Sequence, residues 1–347
     1  MKFSNNCPMP KLDFDVITMG HGSGGVLTHK LLDKGVFSLL SNDLLDQKHD
    51  GAVFQIDGPM AFSTDSYVVN PIFFPGGNIG DLAVNGTVND LAMCGAQPKY
   101  LSLSFILEEG LKMEEFWEVL VSIKEAAEKA GVQIVTGDTK VVDRGKADKI
   151  FINTSGVGQV LNGASIGIDN VKPGDKIIVS GEIANHGIAV MSVREGLEFE
   201  TDILTDSRPL NHAVKELIDQ YAQGIHLLRD PTRGGVSTVL NEIAQQGKVG
   251  VDIEYRLLPL NESVEGACEM LGLDPLYVAN EGVFLAIVSG EKAEAIVETL
   301  QSIKGCEQAA IIGEVTEEHI GKVISTSPIM GRRVIGMLPG EQLPRIC

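Results

Sequence analysis

The sequence predicts an α+β protein of two domains, and three observations carry that expectation. Strand-like and helix-like segments alternate in both halves, yet the strands read as antiparallel neighbours and not as members of one parallel sheet. The chain has 347 residues, 44% of them hydrophobic, which is enough for two buried cores. A Lys172-Pro173-Gly174-Asp175 turn breaks the pattern midway, so the boundary is drawn near residue 167. The predicted units are a glycine-rich segment and helix over 1–50, a first domain over 51–167, a second over 168–335, and a tail over 336–347.

Each element has its own signal. Residues 15–19 form a short β-like run before Gly20-His21-Gly22-Ser23-Gly24-Gly25. Leu27, Leu31, Leu32, Val36 and Leu39 then share one helical face. Segments 52–56 and 60–64 read as hairpin strands around Asp57-Gly58. Residues 79–94 form a helix whose small residues, Ala83, Gly86 and Ala92, permit close packing. Phe116, Leu120, Ile123, Ala127 and Ala130 mark an amphipathic helix. Strands follow at 132–136, stopping at Gly137-Asp138, and at 149–160. The second half offers strands near 176–180, 249–255, 283–288 and 309–315, and helices near 185–195, 210–222, 236–246 and 291–303. The tail holds Pro339, Gly340 and Pro344 without periodicity and reads as a mobile arm.

Composition excludes several functions. Lys and Arg total 28 against 47 Asp and Glu, a formal net charge of -19. Such a polyanion is repelled by nucleic acid and by anionic membrane. The five cysteines are widely spaced, without a CxxC pair. That argues against a zinc knuckle and for a reduced, cytoplasmic setting. The N-terminus carries no apolar signal segment, and no apolar run approaches roughly 18 residues.

Three features point to chemistry. Gly20, Gly22 and Gly25 satisfy GxGxxG, but the polar stretch 41–50 holds no strand ending in an acid. A dinucleotide site therefore gives way to a glycine lid over phosphates or a plain loop. Asp50, Asp65, Asp90, Asp138 and Asp230 stand beside glycines or at strand ends. They are either solvated turn residues or a magnesium–phosphate site, since magnesium joins one or two carboxylates to phosphate oxygens. Cys94 and Cys268 read as buried packing, and Cys7 and Cys306 as incidental. Cys347 differs because it ends the chain, on an arm of about 12 residues that could span about 40 Å. Its terminal carboxylate raises the thiol pKa and Arg345 offsets part of that. The arm is either a functional thiol carrier or a frayed end.

These residues resemble one family. Pro344-Arg345-Ile346-Cys347, His21 to Gly25, Phe62-Ser63-Thr64-Asp65-Ser66-Tyr67, Phe74-Pro75-Gly76-Gly77-Asn78-Ile79-Gly80, Gly137-Asp138-Thr139-Lys140, Asp230-Pro231-Thr232-Arg233-Gly234-Gly235 and Asn280-Glu281-Gly282 occur in order along the chain. They are similar to the HypE family of hydrogenase-maturation carbamoyl dehydratases, within the PurM-like aminoimidazole-ribonucleotide-synthetase superfamily. Asn185-His186-Gly187 departs from the Asp-His-Gly expected there.

The resemblance implies a homodimer whose N-terminal sheets join into a barrel, with ATP nearby. His21, Gly22, Ser23, Gly24, Gly25, Asp65, Asp90, Asp138, Thr139, Asp230 and Arg233 would serve the nucleotide, and Asp50, Asp65, Asp90 and Asp230 the Mg2+. The implied reaction dehydrates an S-carboxamide on Cys347 to a thiocyanate, supplying cyanide for the iron of nickel–iron hydrogenase. Glu281 would act as base, Lys140 as polariser or proton-transfer aid, and His186 as a further catalytic candidate. A HypF-family carbamoyltransferase would load the thiol, and HypC–HypD would receive the cyano group. Two rivals remain. One is a phosphotransferase resembling selenophosphate synthetase, which wants a reactive Cys or Sec inside the glycine segment. The other is a non-catalytic thiol scaffold.

Overall fold

The computed structural model describes residues 9–10, 14–48, 51–197, 203–327, 329–337, 340, 343 and 345–346. The N-terminal segment has only an isolated bridge, Val16 to Lys112, where a β-run is expected. A 3-10 turn, Met19–Gly22, leads into α1 (Val26–Leu31), a wider helical turn (Leu32–Phe37) and α2 (Ser38–Leu40).

The first unit contains β1 (Met60–Tyr67), a small hairpin of β2 (Phe73–Phe74) and β3 (Gly77–Asn78), α3 (Ile79–Met93), β4 (Ala96–Glu108), α4 (Met113–Ala130), β5 (Gln133–Val142) and β6 (Ile150–Val160). Its sheet runs β1-β6-β4-β5. Only β4 and β5 are parallel, because α4 carries the chain back between them. Asn78 caps α3 by accepting from the Gly80 amide at 2.8 Å, and Asp81 accepts from the Asn78 amide at 2.6 Å. Gly80 is where α3 meets α4: a Cβ there would lie 2.4 Å from the Val119 carbonyl oxygen. One face of the sheet is covered by these helices. The other carries Met60 and Phe62 of β1 and Ile106 of β4 as exposed apolar side chains.

The second unit contains β7 (Lys176–Val179), α5 (Asn185–Glu195), α6 (Asn211–Tyr221), β8 (Ile225–Arg229), α7 (Gly235–Gln246), β9 (Gly250–Glu254), α8 (Glu262–Leu271), β10 (Leu285–Val288), α9 (Ala293–Gln301), β11 (Ala310–Thr316), β12 (Val323–Thr326) and β13 (Arg332–Ile335). The sheet order is β13-β12-β9-β11-β7-β10-β8, antiparallel except for β9 with β12. The mixed α+β architecture is as expected.

Several local readings need correction. The segment 52–56 forms no strand: Val53 is 86% exposed, so no apolar face drives pairing, and Phe54 instead leans on Tyr100. The strand expected to stop at Gly137-Asp138 runs on to Val142. Gly137 does not break it; a Cβ there would lie 2.0 Å from the Leu103 carbonyl oxygen, so glycine permits the close parallel pairing with β4. Cys94 is exposed where α3 ends, not packed inside, whereas Cys268 and Cys306 are buried. The strands β2, β3, β4, β8, β12 and β13 and the helix α8 have no counterpart in the sequence reading.

Candidate active site

The glycine segment lies across β5. A Cβ on Gly22 would fall 2.5 Å from the Val141 backbone nitrogen, so only glycine lets the two backbones touch. The contact leaves a pocket of about 170 Å3, with Gly22, Gly24, Asp138, Thr139 and Lys140 in its polar lining and Phe37, Leu103 and Phe105 in its apolar lining. Lys140 and Asp138 form an exposed ion pair at 2.8 Å. That contact holds the Asp138 carboxyl below its ordinary range. Thr28 pins the segment: its hydroxyl accepts from the Gly24 amide at 3.0 Å and donates to the Gly20 carbonyl at 3.3 Å. Ser23 donates to the same carbonyl at 3.0 Å, and Gly25 is the N-cap of α1. His21 is turned inward. Its Nδ1 accepts from the Thr18 amide at 3.0 Å, and burial lowers its pKa. It builds the turn.

A second group gathers on the opposite edge of the sheet. The row Asp65, Thr154, Leu103, Gly137 crosses β1, β6, β4 and β5. Asp65 and the Gly-Asp block are therefore about 14 Å apart, three strand spacings. Asp90, on α3, accepts from the Ser63 hydroxyl of β1 at 2.6 Å. Asp230 follows β8 in the second unit. Burial, then Asp90, pushes its pKa up to about 7. Burial also raises Asp90, with Asp65 adding to it. Arg233 is exposed in the turn before α7. That turn closes tightly, because Gly235 has φ +61 and its Cβ position lies 2.6 Å from the Leu276 and Val278 carbonyl oxygens.

Glu281 sits at the junction of the units and is 3% exposed. Burial pushes its carboxyl well above the usual range, and Asp206, Asp230, Asp65 and Asp90 push it further. Its Oε1 has no hydrogen-bond partner among the described residues. Its backbone is clamped: the amide donates to Asp206 and the carbonyl accepts from Asn89 of α3 at 3.0 Å. Neighbouring Asn280 accepts from the Ala184 amide at 2.7 Å and donates to the Pro231 and Val278 carbonyls. Asn280 thus ties the Glu281 turn to the Asp230 loop and to the start of α5. Asn89, Asp206 and Asn280 have no site role in the sequence reading.

His186, in the first turn of α5, is fully buried. Its Nδ1 meets the Thr205 hydroxyl and its Nε2 the Ile346 carbonyl, both at 2.8 Å. Burial lowers its pKa, against the pull of Asp206. The tail is thus drawn in at Ile346, which is 2% exposed. Asp50 and Cys347 lie outside the described residues.

Residues 48–160 and 172–325 match the N-terminal and C-terminal domains of AIR synthase related proteins. The Azotobacter vinelandii carbamoyl dehydratase HypE is 47% identical over 332 residues, spanning 95% of this chain and 97% of that protein. The chain belongs to the HypE family of carbamoyl dehydratases. A crystal structure of the hydrogenase maturation protein HypE in complex with ATP superposes with TM-score 0.92 at 47% identity, covering 95% of this chain and 99% of the other. HypE from a HypE–HypF complex superposes at 0.79 with 43% identity, covering 90% and 100%.

The family's ligands find suitable groups here. The Gly22 cradle and the pocket beside it suit a nucleotide. Among the described residues no three His, Cys, Asp or Glu side chains form a ready chelate. Asp65 nonetheless adds to the raised proton affinity of Asp90, and Asp90 and Asp65 add to that of Asp230. That is the environment a cation relieves, and magnesium needs only one or two carboxylates beside phosphate oxygens.

Proposed function

We propose that this enzyme dehydrates a carboxamide carried on the Cys347 sulfur to a thiocyanate, with ATP converted to ADP and phosphate. The observation that carries this reading is the inward tail. Thr205 holds His186, His186 holds Ile346, and the adjoining Asp206 holds the Glu281 amide, so the seat of the tail and the buried acid share one clasp. ATP supplies the phosphoryl group that turns the amide oxygen, a poor leaving group, into phosphate. The amide then loses its N–H protons as the carbon–oxygen bond breaks.

The chain's own residues have separate tasks. Glu281 accepts a proton from the amide nitrogen; its high proton affinity matches it to a weak acid. Lys140 offers a cation beside the glycine cradle, where His21 shapes the lid and Gly22, Ser23, Gly24, Gly25, Asp138 and Thr139 line or border the phosphates. Asp50, Asp65, Asp90 and Asp230 hold Mg2+, which when bound neutralises phosphate charge, and Arg233 steadies the phosphates. The open sheet face with Met60, Phe62 and Ile106 joins a second copy in a homodimer barrel. A HypF-type carbamoyltransferase loads the thiol and HypC–HypD receives the cyano group. The unpaired Cys94, Cys268 and Cys306 suit the cytoplasm. The domain limits 51–167 and 168–335 and a releasable tail, 336–347, complete the reading.

Glu281→Gln tests the base. The variant should bind ATP normally yet leave a carbamoylated chain unchanged in mass. Normal dehydration by Glu281→Gln would remove Glu281 from the chemistry.

A further inference from the structure

The two hydrogen bonds of His186 fix its protonation. A carbonyl oxygen only accepts, so Nε2 facing Ile346 must carry a proton. The Thr205 oxygen already accepts from the Ser207 amide at 3.1 Å, and its proton is free to point at Nδ1. Burial disfavours a second proton on the ring. His186 is therefore a neutral donor with both nitrogens committed, and no lone pair is left for acid–base work.

The rest of α5 continues the same surface. Arg194, two turns on, donates to the Arg345 carbonyl at 2.9 Å and to the Asn70 carbonyl. The Asn70 amide donates to the same Arg345 oxygen at 3.2 Å. The Arg345 guanidinium reaches the Val68 carbonyl and pairs with Asp148 of the first unit. Ile346 packs in the first unit's core cluster with Val190 and Ala279. Leu343 lies against Gly187, where an added Cβ would be 3.2 Å from it. Successive backbone carbonyls and two apolar side chains of the tail are thus read from one helix.

We propose that α5 is a receptor for the chain's own C-terminal tail, and that His186 is a positioning residue, not a catalytic one: it latches the Ile346 carbonyl in the tautomer set by Thr205. This rests on the dehydration reading for its purpose but not for its test. The same donors recognise peptide backbone, so the seat tolerates a chemical change on the terminal sulfur while holding the residue before it.

Tryptic release of the terminal dipeptide, read by intact mass without ATP or carbamoyl donor, measures how often the Arg345–Ile346 bond leaves the seat. His186→Ala should speed release about tenfold, the effect of losing a buried hydrogen bond. Arg194→Gln, which alters a more exposed side chain, should also speed it, and guards against a folding defect in the first variant. Thr205→Val should loosen the tail and Thr205→Ser restore it, a rescue that a packing role would not require. Unchanged release in both His186→Ala and Arg194→Gln, or equal release in Thr205→Val and Thr205→Ser, would overturn the latch. Dehydration by wild type with unaltered release in the variants sinks the latch alone; loosened tails with no dehydration by wild type sink the reaction alone.

Discussion

At the scale of residues, burial decides which acids matter. Asp65 and Asp230 are legible in the sequence because each stands near a strand end or a glycine turn, and Asp90 because it follows the Asn85-Gly86 pair, although it lies within α3. Asp206 and Thr205 are not: the Thr205-Asp206-Ser207-Arg208-Pro209 run looks like an ordinary approach to a helix. Its role exists only once Glu281, Asn85 and His186 arrive from distant parts of the chain. The same clasp gives a pH signature. Asp81 accepts from the Asn78 amide and the Ser207 hydroxyl, and burial raises its pKa to about 6. Its folded pKa lies above its ordinary value. Its contribution to stability is therefore complete below about pH 4 and is lost as pH rises through about 6. Asp81→Asn, which never ionises, should gain melting temperature on wild type between pH 5 and pH 7.5. A difference that stays constant across that range would show that Asp81 is already ionised at pH 5 in the folded protein, so that burial does not raise its pKa.

Among elements, the glycine segment and β5 carry the most testable contact. The segment reads as a lid from its glycines alone, yet its landing place depends on Gly22 touching the Val141 amide, which no local pattern reveals. Gly137 misleads for a related reason: glycine is taken as a strand breaker, but here it serves a close parallel pairing. The long helices α3 and α4 are legible because periodicity survives over many residues. The short strands β12 and β13 are not, since four residues give little alternation to read. Gly22→Ala must push the segment off β5. ATP affinity should fall about tenfold, an overpacking cost confined to the lid. Calorimetry showing unchanged affinity, with melting temperature also unchanged, would mean that the segment does not cover the nucleotide.

For the whole molecule, the sheet of the first unit has one face buried under α3 and α4 and one face that leaves Met60, Phe62 and Ile106 exposed among polar side chains such as Thr64 and Ser155. Phe62, 68% exposed on the edge strand β1, is the side chain a second copy would bury. Phe62→Asp should convert a dimer to a monomer in sedimentation velocity; a wild-type monomer at the same concentration would refute the barrel. The fold class and the order of the units follow from alternation and length, whereas the union of tail, α5 and the Glu281 turn is a product of tertiary packing. That union is where the reaction is placed. The most direct measurement is intact-mass spectrometry of the chain carbamoylated by its donor system, before and after Mg-ATP. Loss of the mass of one water from wild type, absent in Cys347→Ser, is the predicted result. A carbamoyl group that persists unchanged, or leaves whole as ATP is consumed, would contradict the dehydration.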